Sequence, residues 1–216
     1  MHIPDGFLTP PVIVTTYAVS AGSIAVAWNS ARNQFDEQTV PKIALTAAFI
    51  FVAQMINIPI SGGTSGHLLG GFLAALLLGP AAGIFVMALV LTVQMLVFQD
   101  GGLTALGANI LNMGIIDAGG GYLLFLLLKS VLKKYLNRKF VLAGILFFSA
   151  WASVELGAVF CSAELGFSHF APWKILLSLM LSVHFFVGLL EGVMTLFVYQ
   201  AIRKIRPDLI SLDHLT

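Results

Sequence analysis

The sequence predicts an all-α integral membrane protein of about seven transmembrane helices, and three observations carry that prediction. Of the 216 residues, 58% are hydrophobic and only 10% charged, with a mean hydropathy of +0.96. A water-soluble domain carries roughly 25% charged residues, so this is the composition of a chain solvated by lipid. The apolar residues also fall in runs long enough to cross a hydrocarbon core of about 30 Å, which takes about 20 residues. Third, the basic residues gather at alternate ends of those runs, as the bias toward cytoplasmic Lys and Arg requires.

Taken in order, the spans lie near 11–31, 41–58, 66–79, 81–98, 107–128, 140–163 and 173–202, in a single membrane domain covering 1–216. Pro41, Pro80 and Pro172 sit near helix starts, where the missing N–H costs nothing. Gly79-Pro80 divides 66–98 into two spans. With seven spans and the N-terminus outside, Arg32, Lys42, the 129–139 cluster and Arg203, Lys204 and Arg206 share one side, which becomes cytoplasmic together with the C-terminus; only Lys174 is left outside. Merging the third and fourth spans would separate the 129–139 cluster from Arg32 and Lys42, so seven is the preferred count. The expected location is the cell membrane, crossed several times.

Several classes are excluded. A net charge of +1 offers no basis for a nucleic-acid partner. Cys161 is alone, which excludes an intramolecular disulfide and a Cys-rich metal site. No Walker A or other nucleotide motif is present, so any ATP hydrolysis belongs to separate subunits. The scattered Met residues give no thioether path for Cu⁺. Residues 1–11 hold no Lys or Arg and carry Asp5, unlike a signal peptide; the mature chain is expected to begin at Met1, which is expected to persist because His2 is large.

Met1-His2 is a chelating arrangement. The α-amine, the deprotonated His2 amide nitrogen and the His2 imidazole can close fused rings around one ion, presenting three nitrogens in a plane. A further imidazole would complete a square-planar set, which suits Ni²⁺ or Cu²⁺ better than tetrahedral Zn²⁺ or oxygen-seeking Mg²⁺. The topology returns the chain to the outer face near 57–67. There, Ser61-Gly-Gly-Thr-Ser-Gly-His67-Leu-Leu-Gly-Gly71 forms a glycine-rich turn whose histidine faces the same compartment as Met1. Each histidine by itself reads equally as an ordinary terminal or loop residue.

Met1-His2-Ile-Pro-Asp-Gly-Phe-Leu8, the Gly-Thr-Ser-Gly-His67 turn and Gly101-Gly-Leu-Thr-Ala-Leu-Gly-Ala-Asn109 together resemble the CbiM/NikM family. Its members are the substrate-binding S components of energy-coupling factor transporters for cobalt and nickel. The resemblance spans nearly the whole chain. It implies a seven-helix fold with the N-terminal segment (1–10) tucked into the bundle, and a metal held by Met1, His2 and His67. Ni²⁺ or Co²⁺ is then the transported substrate, with nickel favoured by square-planar nitrogen ligation, and no organic cofactor is expected. The implied partners are a transmembrane coupling (T) component, ATP-binding (A) subunits, a small accessory membrane protein and the lipid bilayer.

Thr64, Ser65, Gln99, Asp100 and Asn109 lie near outer ends of spans and are candidates to orient the ligand imidazoles; each also reads as a loop cap. Asn109 is favoured among them because it sits inside the Gly101–Asn109 motif. Asp117, Glu155, His184 and Glu191 fall within spans, where ionisable groups are costly. His184 and Glu191, seven apart, share a helix face, and a hydrogen-bonded structural network or a partner contact is preferred for them over a second metal site. Ala18, Gly22, Ala21 and Ala25 form small-residue ridges suited to close helix packing, within the bundle or against the coupling component. Two other readings remain. Gly63-Thr-Ser-Gly66 matches the serine motif of rhomboid proteases, with His184 as a base, but Gly188 is one residue too far for their histidine pattern. A stand-alone metal sensor is the other.

Overall fold

The computed structural model describes residues 1–37, 39–56, 58–60 and 64–206. Its elements are seven helices and one short hairpin: α1 (Pro10–Ala31), α2 (Thr39–Gln54), β1 (Ile58–Ile60), β2 (Thr64–Gly66), α3 (Gly71–Leu78), α4 (Pro80–Phe98), α5 (Leu106–Val131), α6 (Lys139–Phe167) and α7 (Trp173–Ile205). The hairpin is antiparallel, with Pro59 opposite Ser65.

Five of these helices, α1 and α4 to α7, are long and apolar enough to cross a membrane. Their outward faces carry large apolar side chains, such as Val14, Leu123 and Phe197, each about two-thirds exposed. In water that arrangement would be unstable; against lipid tails it costs nothing. Long α6 and α7 pack along each other, and α4 and α5 line the interior between them and α1.

The third predicted span needs correction. Residues 66–70 are not helical, and α3 has only 8 residues, about 12 Å of helix. The apolar run from 66 to 79 is real, but Gly70 adopts φ +77° and turns the chain into α3 only at Gly71. The second span is shorter as well, ending at Gln54 instead of 58. A shortened helix leaves its first N–H groups inside the protein, where each must find a partner. Two buried carboxylates provide them. Glu191 of α7 accepts from the N–H groups of Leu69 and Gly70 at 2.9 and 2.8 Å, and Asp117 of α5 accepts from Phe72 N–H at 3.3 Å. Ser153 of α6 donates to the other Asp117 oxygen, and Gln54 of α2 donates to Leu69 C=O. Glu191 and Asp117 thus hold the segment that follows His67, whereas Glu155 on α6 makes no such contact. Gly79, at φ +86°, separates α3 from α4 as Gly79-Pro80 predicts.

Helical geometry loosens in two places. Gln94–Phe98 at the end of α4 and Leu111–Gly120 within α5 are π-helical. Such widened turns often mark functional sites. The first of them carries Gln94, fully buried, toward the N-terminal segment.

Candidate metal centre

Residues 1–9 precede α1 and run into the bundle. Met1 and Ile3 are fully buried and His2 nearly so. Ile3 fixes the backbone. Its N–H donates to Asn109 Oδ1 at 2.8 Å, while its C=O accepts from Asn109 Nδ2 at 3.1 Å and from Gly102 N–H at 2.9 Å. Asp5 then accepts from the backbone N–H groups of Leu103 and Thr104, and these bonds with the Thr104 hydroxyl hold its carboxyl below its ordinary range. Further along, Phe7 stacks on Phe170 and Thr9 N–H donates to Ser168 Oγ.

Glycines make room for this strand. A Cβ on Gly102 would lie 2.7 Å from the Pro4 carbonyl carbon and closer still to Asp5. Backbone cannot yield there, so Gly102→Ala is expected to unseat the segment. Thermal unfolding of the purified variant in detergent should show a loss of about 1–3 kcal/mol, the scale of forced overpacking, with helicity unchanged.

With Ile3 pinned, the Met1 amine and the His2 and His67 rings come together. The Met1 amine lies 2.7 Å from His67 Nε2. His67 Nδ1–H donates to Leu68 C=O at 2.7 Å, which fixes the tautomer and leaves the Nε2 lone pair facing the amine. His2 Nε2–H donates to Gln94 Oε1 at 3.2 Å, which leaves the lone pair on Nδ1. That Nδ1 is buried without a hydrogen-bond partner. It lies 3.4 Å from Asp100 Oδ1, but a neutral Nδ1 carries no proton to share, so the contact is not a salt bridge. The two imidazole rings stack at 4.6 Å.

Burial keeps all three groups neutral. It lowers the Met1 amine from 8.0 to about 5, against a smaller pull upward from Cys161 and Asp100. Burial and the adjacent amine lower His2 to about 3, and the same two causes hold His67 well below its ordinary value. Asp100 moves the other way, raised by burial although the amine opposes this. Because the amine is depressed in the folded state, its contribution to stability is complete above pH 8 and is lost as pH falls toward 5. The metal-free protein should accordingly melt at a lower temperature in detergent at pH 5 than at pH 8. Equal melting temperatures would contradict a buried neutral amine.

Of the residues expected to orient the imidazoles, Asn109 and Asp100 stand at the site. Gln99 does not: it is exposed, at φ +56° at the end of α4. Thr64 and Ser65 lie in β2, with side chains outside the described residues, as are Asn57, Ser61, Gly62, Gly63 and 207–216. Sequence reasoning missed Gln94, a lone polar residue inside an apolar helix. Among the described residues, no three His, Cys, Asp or Glu side chains cluster as a metal site. A centre here therefore depends on terminal and backbone nitrogen.

Such a fold, five long spans closing over a buried cluster of neutral nitrogens, belongs to a multi-pass membrane component of metal transport, and the relatives agree. The sequence profile described as the cobalt uptake substrate-specific transmembrane region, CbiM, matches residues 2–209. The chain belongs to that CbiM family of cobalt and nickel transport components. A protein of Haloquadratum walsbyi named for metal transport is 39% identical over 212 residues, 97% of this chain and 93% of that one. A fused protein of Archaeoglobus fulgidus named for nickel transport is 40% identical over 213 residues, 98% of this chain and 68% of that protein. A crystal structure of a truncated transition metal transporter superposes with a TM-score of 0.84 and 31% identity, covering 94% of this chain and 99% of that one.

Proposed function

We propose that this chain is the substrate-capturing S component of an energy-coupling factor importer, taking Ni²⁺, or Co²⁺, in a plane of four nitrogens. The donors are Met1 N, the deprotonated His2 amide N, His2 Nδ1 and His67 Nε2. One observation carries the reading: the buried Met1 amine lies 2.7 Å from His67 Nε2, and the His2 ring, stacked on His67, keeps a buried Nδ1 with no hydrogen-bond partner. Metal–imidazole bonds of about 2.0 Å put neighbouring donors of a square about 2.8 Å apart, close to the 2.7 Å between Met1 N and His67 Nε2. The ion would replace the amine–imidazole hydrogen bond. Its two positive charges would meet the amide anion and the Asp100 carboxylate.

A preformed plane selects by geometry where raw affinity would not, and low-spin d⁸ Ni²⁺ is the ion it suits best. The basic-residue distribution supports an outer-face position for Met1 and His67 and a cytoplasmic C-terminus. The ion is then passed inward with a transmembrane T component, while separate A subunits hydrolyse ATP and an accessory membrane protein assists. A groove at Ala18, Gly22 and Val26 on α1 offers the T component a close approach.

The test is nickel and cobalt binding to purified protein in detergent, read by elemental analysis after gel filtration. The wild type should retain one ion per chain, with nickel displacing cobalt. His67→Ala and His2→Ala should retain none, and full retention by His67→Ala would remove the basis of the reading.

A further inference from the structure

The basic residues gather at one end of the bundle, and a groove of about 610 Å³ opens there between the two longest helices. α6 starts at that end and α7 finishes at it, so the two pack antiparallel. The groove is lined by Asn137, Gln200 and Arg203 near the helix ends and by Leu142, Leu146 and Leu196 farther in. Leu196 precedes Arg203 by seven residues on α7, and Leu146 follows Lys139 by seven on α6. The apolar lining therefore reaches about 10 Å from the polar mouth. That is about two-thirds of the roughly 15 Å that one leaflet contributes to the hydrocarbon core.

The mouth has one sign of charge. Among the described residues, no acidic side chain lines the groove, and Arg203 is exposed there. Lys133, Lys134 and Arg138 are exposed on the turn that carries Leu136 and Asn137, and exposed Lys204 follows Arg203. A guanidinium pairs best with phosphate or carboxylate oxygens in a two-pronged contact, and the Gln200 and Asn137 amides can donate to the same anion. Basic pockets between helices at this depth suit acidic lipid headgroups. The ammonium of a zwitterionic headgroup would instead stand beside these cations. A partner helix would follow α6 and α7 across the membrane, whereas this lining stops at Leu146 and Leu196. One polar, cationic mouth on one short apolar channel matches an amphiphile with a single anionic head.

We propose that this groove is a binding site for an anionic phospholipid of the bilayer. Its phosphodiester sits among Arg203, Gln200 and Asn137, and one acyl chain runs along Leu142, Leu146 and Leu196. The site makes no demand on the metal centre. Met1 touches α6 at Gly157, eleven residues from Leu146 and about 16 Å away along the axis. A lipid that binds only the folded chain would also stabilise it by mass action, joining the ends of α6 and α7.

Purified protein in a non-ionic detergent would be titrated with phosphatidylglycerol or phosphatidylcholine, and retained lipid read by native mass spectrometry. Wild type should hold one phosphatidylglycerol about tenfold more tightly than phosphatidylcholine and melt at a higher temperature with it. Arg203→Gln should weaken phosphatidylglycerol binding about fivefold, the scale of one basic residue at an anionic surface. Ala143→Trp, which fills the groove without changing its charge, should weaken it as well. Lys204→Ala removes a neighbouring cation that does not line the groove, and should weaken binding less than either. Equal affinity for the two lipids would overturn the proposal, as would unchanged binding by Arg203→Gln or by a folded Ala143→Trp protein. Displacement of the lipid by inorganic phosphate would show that a free anion is the ligand and overturn it too. Should Ala143→Trp fold poorly, Arg203→Gln against Lys204→Ala decides, since equal losses would mean diffuse attraction and no site.

Discussion

A version of the protein with a single glycine ahead of Met1 is expected to lose nickel binding altogether. The extension converts a basic amine into an amide, removing one of the four proposed donors. It also has to be accommodated where Met1 is fully buried, with its methyl group against Gly157 and its nitrogen against His67. Each effect alone is severe. A Cβ on Gly157 would stand 2.6 Å from the Met1 methyl, so the Met1 side chain is closely enclosed and has little room to shift. Elemental analysis of extended and unextended proteins measures the effect directly. An extended protein that still carries one nickel per chain would show that the amine is not a ligand. Tags should therefore be confined to the C-terminal end.

Replacing Glu191 with Ala is expected to cost both stability and affinity. The Leu69 and Gly70 N–H groups would lose their acceptor in a place water does not reach. Each such orphan costs about 1–3 kcal/mol, so a loss of about 2–6 kcal/mol follows. Metal binding should weaken as well, since those two residues fix the backbone leaving His67. Glu191→Gln keeps one acceptor oxygen and should fall between the two. Thermal unfolding in detergent, with and without nickel, separates the two effects. A Glu191→Ala protein as stable as wild type would mean that the start of α3 is held in some other way.

These two cases show what sequence could and could not reveal. That Met1, His2 and His67 meet was expected mainly from the resemblance carried by Met1–Leu8 and the Gly-Thr-Ser-Gly-His67 turn, with the chelating pattern of the first two and the topology in support. The long helices were readable because α1 and α4 to α7 each exceed a membrane's requirement in uninterrupted apolar residues. Hydropathy does not report backbone geometry, however. Residues 66–70 are as apolar as a helix start, yet Gly70 bends them and Glu191 and Asp117 hold them open. A hydrogen-bonded network was expected of those acids, but the N–H groups they serve are not legible until the chain is placed in space. Gln94 was hidden for a related reason: only the π-helical turn around it aims its amide oxygen at His2.

The clamp on Ile3 also sets an order of events in time. Residues 1–9 are made long before what seats them: Asn109 for Ile3, Gly157 for the Met1 side chain, Ser168 for Thr9. Contacts so distant in sequence form slowly, after the intervening helices have inserted and packed. The N-terminal segment is thus among the last parts to reach its place, once most of the chain is in the membrane. An incompletely inserted protein would leave Met1 and His67 apart, so under the proposed capture role retained metal would double as a report that assembly is finished.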